Sequence, residues 1–291
     1  MFDKKQFAHV FDTKEFDRLE LNLIGTDLVI RQAEHSGIIY YGEQKDSERF
    51  KLNQEGRTLR ITEKSGLRLK ETLSFRVSVG KRRLEVSLPE SDFKKLTADV
   101  ARGDIAVDNV KTSTINLIAG NGAITVADSI IDNFEVKAQN GNLIVKKSKI
   151  KNGSLEDQTG DILFDEFECD NSMNTTFAEG RLKMRNVKFM NAQITLGEGD
   201  VRARDFKATG DFNLSTNIGD LSLNKIEAPT ITIAAIRGND LKNPDAVAGL
   251  PKHEKGKAGA SFITSAGHLD VGKEIKIRKN SIKPLKNMGL I

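Results

Sequence analysis

GDIAV at residues 103–107 is followed by GAITV at 122–126, GNLIV at 141–145 and GDILF at 160–164. The same pattern, a glycine with an aliphatic residue two positions later, decides the fold. It continues at the glycines that follow, so that neighbouring glycines stand 19 or 20 residues apart over more than a hundred residues: Gly180, Gly199, Gly219 and, in degraded form, Gly238. A constant interval of this length indicates a tandem structural repeat.

Apolar residues keep fixed offsets from each glycine. Positions two and four after it, and five and seven before it, are mostly aliphatic, and a spacing of two is the period of a β-strand. Each repeat is therefore expected to supply two short, half-buried strands with a turn between them, and the glycine to take a positive φ. We expect the residues two after the glycine to stack in one inward row, which includes Ile105, Ile124, Leu143 and Ile162.

The repeat predicts an all-β chain folded as a single-stranded β-solenoid, or β-helix, of 19–20-residue coils. Each coil is expected to lie about 4.8 Å from the one before it in the chain, through parallel strand pairing. The right hand is expected, because parallel β crossovers are almost always right-handed. The alternative is an antiparallel β-sandwich, which also places turns about every ten residues but does not require a constant interval.

Three regions follow from the pattern. Residues 1–90 are predicted to form an N-terminal β cap with irregular first coils, and residues 91–238 the regular solenoid. Residues 239–291 are expected to hold an exposed loop at 243–259, a last coil at Gly267 and a basic C-terminal cap. Within that cap, Ile275 and Ile277 alternate with Lys276 and Arg278, as in a half-buried strand.

Composition limits the classes of protein. The chain has 291 residues, of which 38% are hydrophobic and 30% charged, which suits an elongated body with a thin core. A net charge of +4 does not indicate nucleic-acid binding. A single cysteine excludes a disulfide framework. The N-terminus lacks the apolar run of a signal peptide, which predicts a cytoplasmic protein; the alternative is a cell-surface protein or a trimmed chain.

Three stretches carry a family resemblance: LELNLIGTDLVI at 19–30, VSLPE from Val86 to Glu90, and the glycine–Asp/Asn–aliphatic coils that follow. Over roughly residues 16 to 271 the chain resembles the bacterial putative-adhesin family of β-strand-repeat domains, whose function is unknown. Its LiaG-like and LiaX-like members are associated with cell-envelope stress responses in Gram-positive bacteria. The resemblance implies a β-solenoid and supplies no active-site residues.

The sequence offers little site chemistry. The carboxylates that follow several coil glycines, at Asp104, Asp161, Asp200 and Asp220, do not form a calcium row, because other residues interrupt them; they are interpreted as solvated turn residues. The histidines (His9, His35, His253 and His268) lack metal-ligand spacing. Cys169 is flanked by acids, which raise a thiol pKa and oppose reactivity. We expect no metal, no cofactor and no catalytic residue.

A locally basic stretch is the one candidate site, for contact with anions. It contains Arg68, Lys70, Arg76, Lys81, Arg82 and Arg83. Gathered on the N-terminal cap, these side chains would meet lipid headgroups or an anionic wall polymer. The simpler interpretation is a set of solvated charges that protect a strand edge, and it is favoured.

These observations predict a non-catalytic interaction or scaffold protein of the putative-adhesin type, linked to the bacterial cell-envelope stress response. Its partner would be a protein or an anionic envelope component, with no nucleic acid and no transmembrane segment. The alternative is a polysaccharide lyase-like enzyme on a β-helix. That class needs a cleft with clustered carboxylates, and coils this short leave few loops from which to build one.

Overall fold

A computed structural model describes residues 7–11, 13–65, 82–89, 93–235, 241–242, 259–266, 268–272 and 275–277. Within these residues the chain is almost entirely β, with one short helix, α1 (Gln44–Ser47), and no helix long and apolar enough to cross a membrane. The strands are β1 (Phe7–Phe11), β2 (Arg18–Leu23), β3 (Asp27–Ala33), β4 (Gly37–Gly42), β5 (Phe50–Glu55), β6 (Thr58–Glu63), β7 (Arg83–Pro89), β8 (Lys95–Arg102), β9 (Ile105–Asp108), β10 (Lys111–Asn121), β11 (Ile124–Ala127), β12 (Ile130–Asn140), β13 (Leu143–Lys146), β14 (Lys149–Thr159), β15 (Ile162–Glu179), β16 (Leu182–Glu198), β17 (Val201–Ala208), β18 (Asp211–Ile218), β19 (Leu221–Ala228), β20 (Ile231–Ala235), β21 (Leu241–Lys242), β22 (Gly259–Ala266), β23 (Leu269–Val271) and β24 (Ile275–Ile277).

The regular coils stack in parallel and in register. Ile124 of β11 pairs with Ile105 of β9 on one side and with Leu143 of β13 on the other, and Leu143 pairs in turn with Ile162. All four side chains are 0–1% exposed, so the predicted inward row is confirmed. The chain is a β-solenoid of about seven turns, and the antiparallel sandwich is wrong because consecutive coils run in the same direction.

The coil has a third buried segment that the sequence pattern did not reveal. Positions seven and nine after each glycine also face inward. The nine-after row includes Ile131, Ile150 and Cys169, while the seven-after row includes Ser129 and Ser148. The serines bond within the core: Val110 N donates to Ser129 Oγ at 3.1 Å, and Ser129 N donates to Ser148 Oγ at 3.1 Å. Polar residues in these rows hid the alternation.

A left-handed corner separates that segment from the strand before it. Six residues after each coil glycine, a residue other than glycine has φ between 47° and 55°: Asn109, Asp128, Lys147, Glu166, Asn186, Asp205 and Lys225. Asn and Asp adopt this conformation readily, whereas other side chains pay about 1–2 kcal/mol for it. The corner is therefore strained wherever Lys or Glu occupies it.

The coil glycines stack directly on one another. The predicted positive φ is confirmed, with values between 141° and 152° in six of them: Gly103, Gly122, Gly141, Gly180, Gly199 and Gly219. The approach between coils is also too close for a side chain, because a Cβ built on Gly141 would lie 2.0 Å from the carbonyl oxygen of Gly122. Both the backbone angle and the space require glycine at this corner.

Core rows pack by exchanging large and small side chains. Gly153 stands in a row that elsewhere holds Phe134 and Met173, and a Cβ built on it would lie 2.1 Å from Met173 Sδ. The methionine thus fills the space that the glycine leaves, as close-packed interiors require. Further along the solenoid, rings of neighbouring coils contact each other, with 6.0 Å between the centroids of Phe189 and Phe206.

At both ends the coils do not stack in chain order, which corrects the sequence expectation. The β2–β3 coil lies between the β6–β7 layer and the β8–β9 coil, although those two layers are consecutive in the chain. At the other end, β22 lies between β18 and β20, and β23 lies between β19 and β21. The 19-residue interval from Gly219 to Gly238 therefore does not place those coils in contact.

Antiparallel strands cover the N-terminal end. β5 pairs with β6, β4 pairs with β7, and β1 pairs with β4, all antiparallel. Such strands occupy hydrogen-bonding groups that a parallel stack would otherwise expose. At the C-terminal end, the predicted strand Ile275–Ile277 is present and pairs with β19. The loop at 243–258 and the tail at 278–291 lie outside the described residues, so the C-terminal cap stays a prediction.

Replacing Gly141 by alanine is expected to destabilise the protein by roughly 2–4 kcal/mol, because the new Cβ meets a backbone carbonyl and φ is unfavourable. Thermal and urea unfolding measure the loss. Gly37→Ala is the control, since no atom lies within 4 Å of a Cβ at that position. Equal stabilities of the two variants would contradict the glycine stack.

Replacing Lys147 by asparagine is expected to stabilise the protein by about 0.5–1 kcal/mol, since asparagine tolerates the left-handed corner. Lys146→Asn provides a matched control: the neighbouring lysine is also exposed but lies in β13, where asparagine is disfavoured. A higher Tm for Lys147→Asn alone supports the presence of strain at the left-handed corner. A gain from both substitutions would attribute the effect to charge instead.

Candidate functional site

The carboxylates that follow the coil glycines join one coil to the next. Asp104 Oδ1 accepts a hydrogen bond from Ala123 N at 2.8 Å, and Asp200 Oδ1 accepts one from Asp220 N at 3.0 Å. Asn142 Oδ1 does the same for Asp161 N. These side chains are more than solvated turn residues, because each satisfies a backbone amide of the next coil. Their recurrence is structural.

Metal-ligating side chains do not gather in the described part of the chain, where no group of three or more His, Cys, Asp or Glu could hold an ion. His9 lies against Phe11, with ring centroids 4.6 Å apart. His253 lies outside the described residues. Cys169 is buried in an inward row, and burial, with a smaller effect of Asp170, raises the pKa of its thiol to about 11. Burial is thus the main cause, ahead of the flanking acids.

Only part of the predicted basic site lies within the described residues. Arg68, Lys70, Arg76 and Lys81 fall outside them, whereas Arg82 precedes β7 and Arg83 is its first residue. Arg83 Nη2 lies 2.9 Å from Glu85 Oε1, and its guanidinium lies 4.8 Å from the centre of the Tyr41 ring. The contact with anions stays a prediction for the whole set.

Arg82 takes part in a buried ion pair with Glu63, whose side chain is 2% exposed. Arg82 Nη1 lies 3.3 Å from Glu63 Oε1, while Glu63 Oε2 accepts hydrogen bonds from Ile24 N at 2.7 Å and Gly25 N at 3.0 Å. A buried carboxylate needs such partners. This arginine therefore holds the turn at Gly25 to the adjacent layer.

The part of each coil that runs from the glycine to just past the left-handed corner is charged and internally paired; we call it the charged side. Arg181 Nη2 lies 2.6 Å from Asp161 Oδ2, and Arg185 Nη2 lies 2.7 Å from Asp165 Oδ2, each across one coil step. Lys188 and Glu168 form a further pair of this kind. Opposite charges in vertically adjacent positions stabilise the stack, as cross-strand pairs do in other sheets.

A second side, formed by the C-terminal halves of β15 and β16 and by β18, has a different composition. Exposed Glu179 and Glu198 stand at its edge, in register with each other. Of the twelve outward positions inside that edge one is charged, in a chain with 30% charged residues: Ser172, Asn174, Thr176, Ala178, Asn191, Gln193, Thr195, Gly197, Asp211, Asn213, Ser215 and Asn217. We call these twelve positions the amide–hydroxyl face. Its side chains can donate and accept hydrogen bonds without carrying charge.

Six side chains in the centre of this face make no hydrogen bond to the part of the chain that the structure describes: Asn174, Thr176, Gln193, Thr195, Ser215 and Asn217. The contrast with a neighbouring corner is sharp. There, Asn171 Nδ2 donates to Asn152 Oδ1 at 2.6 Å, and Asn152 Nδ2 donates to Asn133 Oδ1 at 3.3 Å. Amides at the corner hold coils together, while those of the face are available to a ligand.

Two grooves lie along the amide–hydroxyl face. The larger, of about 640 Å³, has Thr176, Thr195 and Asn217 in its wall, together with Ile118, which is 42% exposed. The smaller, of about 340 Å³, is bordered by the other amides and their neighbours: Ser172, Met173, Asn174, Asn191, Ala192, Gln193, Asp211 and Asn213. Sequence reasoning expected no cleft from such short coils. These grooves form on a strand face and need no loops.

Asp157 contributes to the larger groove while its side chain occupies an inward row. It pairs in register with Ala138 and Phe177, is 6% exposed, and neither carboxylate oxygen accepts a hydrogen bond of good geometry. Burial raises its pKa to about 6, although the nearby backbone amides of Thr159 and Gln158 act in the opposite direction. The folded coil therefore favours the protonated carboxyl.

Comparisons with known proteins agree with this architecture. The family model described as Toastrack DUF4097 matches residues 16–225. A putative lipid binding protein from Parabacteroides distasonis has a TM-score of 0.55 at 15% identity, over 93% of this chain and 98% of that one. A putative adhesin from the same species has a TM-score of 0.50 at 10% identity, over 95% and 98%. At such identities the likeness shows the fold alone, and no curated protein matches the chain.

Replacing Asp157 by asparagine is expected to stabilise the protein above pH 6 and to have little effect near pH 4. A carboxyl whose pKa rises on folding favours the folded state below its unfolded pKa, and that contribution is lost as pH increases through about 6. At neutral pH the gain should be on the order of 2 kcal/mol, measured by urea unfolding across pH.

Glu156→Gln is the control for this substitution, because the neighbouring side chain is exposed and the change in charge is the same. It should show no comparable gain at neutral pH. If Asp157→Asn follows the wild type at every pH, the carboxyl is not held in its protonated form by the core.

Proposed function

The chain belongs to the Toastrack DUF4097 family, and we propose that it is a non-catalytic binding scaffold of the bacterial cell envelope. The observation that carries the proposal is that the two sides of the coils use their polar side chains differently. The charged side uses its groups to hold coils together, while the amide–hydroxyl face leaves polar side chains uncommitted beside two grooves. A rigid surface with available hydrogen-bonding groups is suited to binding.

The carboxylates at the larger groove do not form a catalytic pair. Glycoside hydrolysis requires two carboxyl groups that flank the scissile bond. Glu156 and Asp157 are adjacent in β14, so their side chains leave the strand on opposite sides, one to the surface and one to the core. Glu156 also lies 3.7 Å from Lys137. This geometry supports binding without turnover.

The two solved relatives are named for adhesion and for lipid binding, and binding is the common element. We propose a surface-associated role in which the partner is a protein or an anionic component of the envelope. The basic set that begins at Arg68 and ends at Arg83 would supply the contact with anions. A link to the envelope stress response belongs to the same proposal.

Co-sedimentation tests this function. The purified chain is mixed with isolated cell-wall sacculi, with phosphatidylglycerol vesicles and with phosphatidylcholine vesicles, and polysaccharide products are assayed in the supernatant. We expect saturable binding to at least one component and no product. Turnover of a polysaccharide that a single carboxylate substitution abolishes would overturn the proposal in favour of an enzyme.

Charge reversal tests the basic set separately. The triple variant Arg68→Glu, Lys70→Glu and Arg76→Glu is expected to lose most of its binding to phosphatidylglycerol vesicles, and the wild-type binding should weaken with added salt. The control reverses three exposed charges on the regular coils: Lys146→Glu, Lys151→Glu and Arg202→Glu. Equal losses from both variants would show that net charge alone is responsible.

A further inference from the structure

We propose that the amide–hydroxyl face binds a neutral, hydroxyl-rich polysaccharide chain. The inference rests on the proposed function, because it names the ligand class of the binding scaffold. It begins from the centre of the face, where Asn174 and Gln193 are paired in register on successive coils and Thr195 lies two residues beyond Gln193. None of the three side chains has a hydrogen-bond partner in the described structure. Any ligand of this surface must satisfy those groups.

The charge distribution around the face selects an uncharged ligand. At the larger groove, the exposed charges Lys137 and Glu156 lie 3.7 Å from each other, and the carboxyl of Asp157 is 6% exposed. Glu179 and Glu198 are exposed at the edge of the face, where they disfavour an anion. At the opposite margin, Asp211 accepts a hydrogen bond from Asn213 Nδ2 at 2.7 Å. No charge stands at the central six positions, so an ionic ligand would lose hydration there without gaining an opposite charge.

The hydrogen-bonding capacity of the face matches that of sugar hydroxyls. Each Asn or Gln amide offers two donors and an acceptor, and each Ser or Thr hydroxyl donates and accepts. A sugar hydroxyl also does both, so it can pair with any of these groups. Equivalent side chains on neighbouring coils lie about 4.8 Å apart. They form regular rows that suit a chain of repeating units.

Apolar surface beside these rows completes the site. The larger groove exposes Ile118 and the small residues Ala178 and Gly197 beside the hydroxyls of Thr176 and Thr195. A pyranose ring also combines polar edges with apolar C–H faces, and such mixed surfaces are typical of ligand-binding clefts. The two grooves follow the face across several coils, so an extended polymer fits better than a single small sugar.

Other ligand classes fit the face less well. Energetically dominant positions of protein interfaces are enriched in Trp, Tyr and Arg, with Ser and Thr under-represented, and the face contains none of the first three. Binding to membranes uses basic or aromatic residues, and nucleic acids require a basic patch. By its composition the face favours a neutral polymer recognised through hydrogen bonds.

Retention on insoluble polysaccharides tests the inference. The purified full chain is applied to cellulose, chitin and insoluble starch as neutral polymers, and to cross-linked pectate as an anionic one. We expect retention on at least one neutral polymer that high NaCl does not reduce. Absence of retention on all of the neutral polymers would overturn the inference, as would retention on pectate alone.

Substitutions on the face test the location. The double variant Gln193→Ala and Thr195→Ala should bind the retained polymer about tenfold more weakly, since it removes two uncharged hydrogen-bonding groups. The control is Thr125→Ala with Ser222→Ala, two hydroxyls on the other long side of the coils. Circular dichroism melts establish that both variants fold. Equal binding by the double variant and the wild type would overturn the assignment of the face.

The outcomes separate this inference from the function on which it rests. Binding to sacculi or anionic vesicles without retention on any neutral polymer would leave the scaffold function in place and reject the glycan face. Cleavage of a retained polymer would reject the non-catalytic function, while the effect of Gln193→Ala with Thr195→Ala would still locate the contact.

Discussion

The structure depends on the parallel hydrogen-bonded ladder between coils, which brings every residue about 4.8 Å from its own equivalent in the next coil. Under this constraint, the side chain at each position must pack against the side chain at the equivalent position of the next coil. Glycine meets glycine at the tight corner, and asparagine meets asparagine at the corner that includes Asn152. Where identical groups would repel or collide, the sequence alternates, as in Asp161 against Arg181 or Gly153 against Met173. Packing, polar satisfaction and charge are all solved row by row.

The same constraint explains why the two long sides differ. A row of like charges would destabilise the stack. The charged side chains therefore form ion pairs with the adjacent coil, as Arg185 does with Asp165. Uncharged polar rows carry no such requirement. Gln193 and Thr195 can therefore stand unpaired at little cost to stability. The residue types on such a surface can be selected for binding without loss of the fold.

The regular coils could be predicted because their glycines and inward aliphatic residues repeat without interruption, as Ile105 and Ile124 show. The third buried segment could not be predicted, because Ser129, Ser148 and Cys169 interrupt its apolar rows. The hydrogen bonds of the serines and the burial of the cysteine appear only in three dimensions. The stacking order of the end coils could not be predicted either. A fixed interval between glycines shows that two coils are similar, but it does not show that they are in contact. The amide–hydroxyl face carries a signal only once Asn174 and Gln193 are known to be neighbours, and four of the six basic candidates lie outside the described residues.

The intercalated coil at each end has a consequence for how the chain folds as it is made. Residues 18–33 pair with layers on both sides, and one of those layers is the β8–β9 coil, which ends at Asp108. The first coil to leave the ribosome therefore waits for some 75 further residues before its second ladder can form, an estimate that follows from chain order during synthesis. Long-range closures of this kind slow folding. The N-terminal end should thus complete its pairing only after the β8–β9 coil has been synthesised.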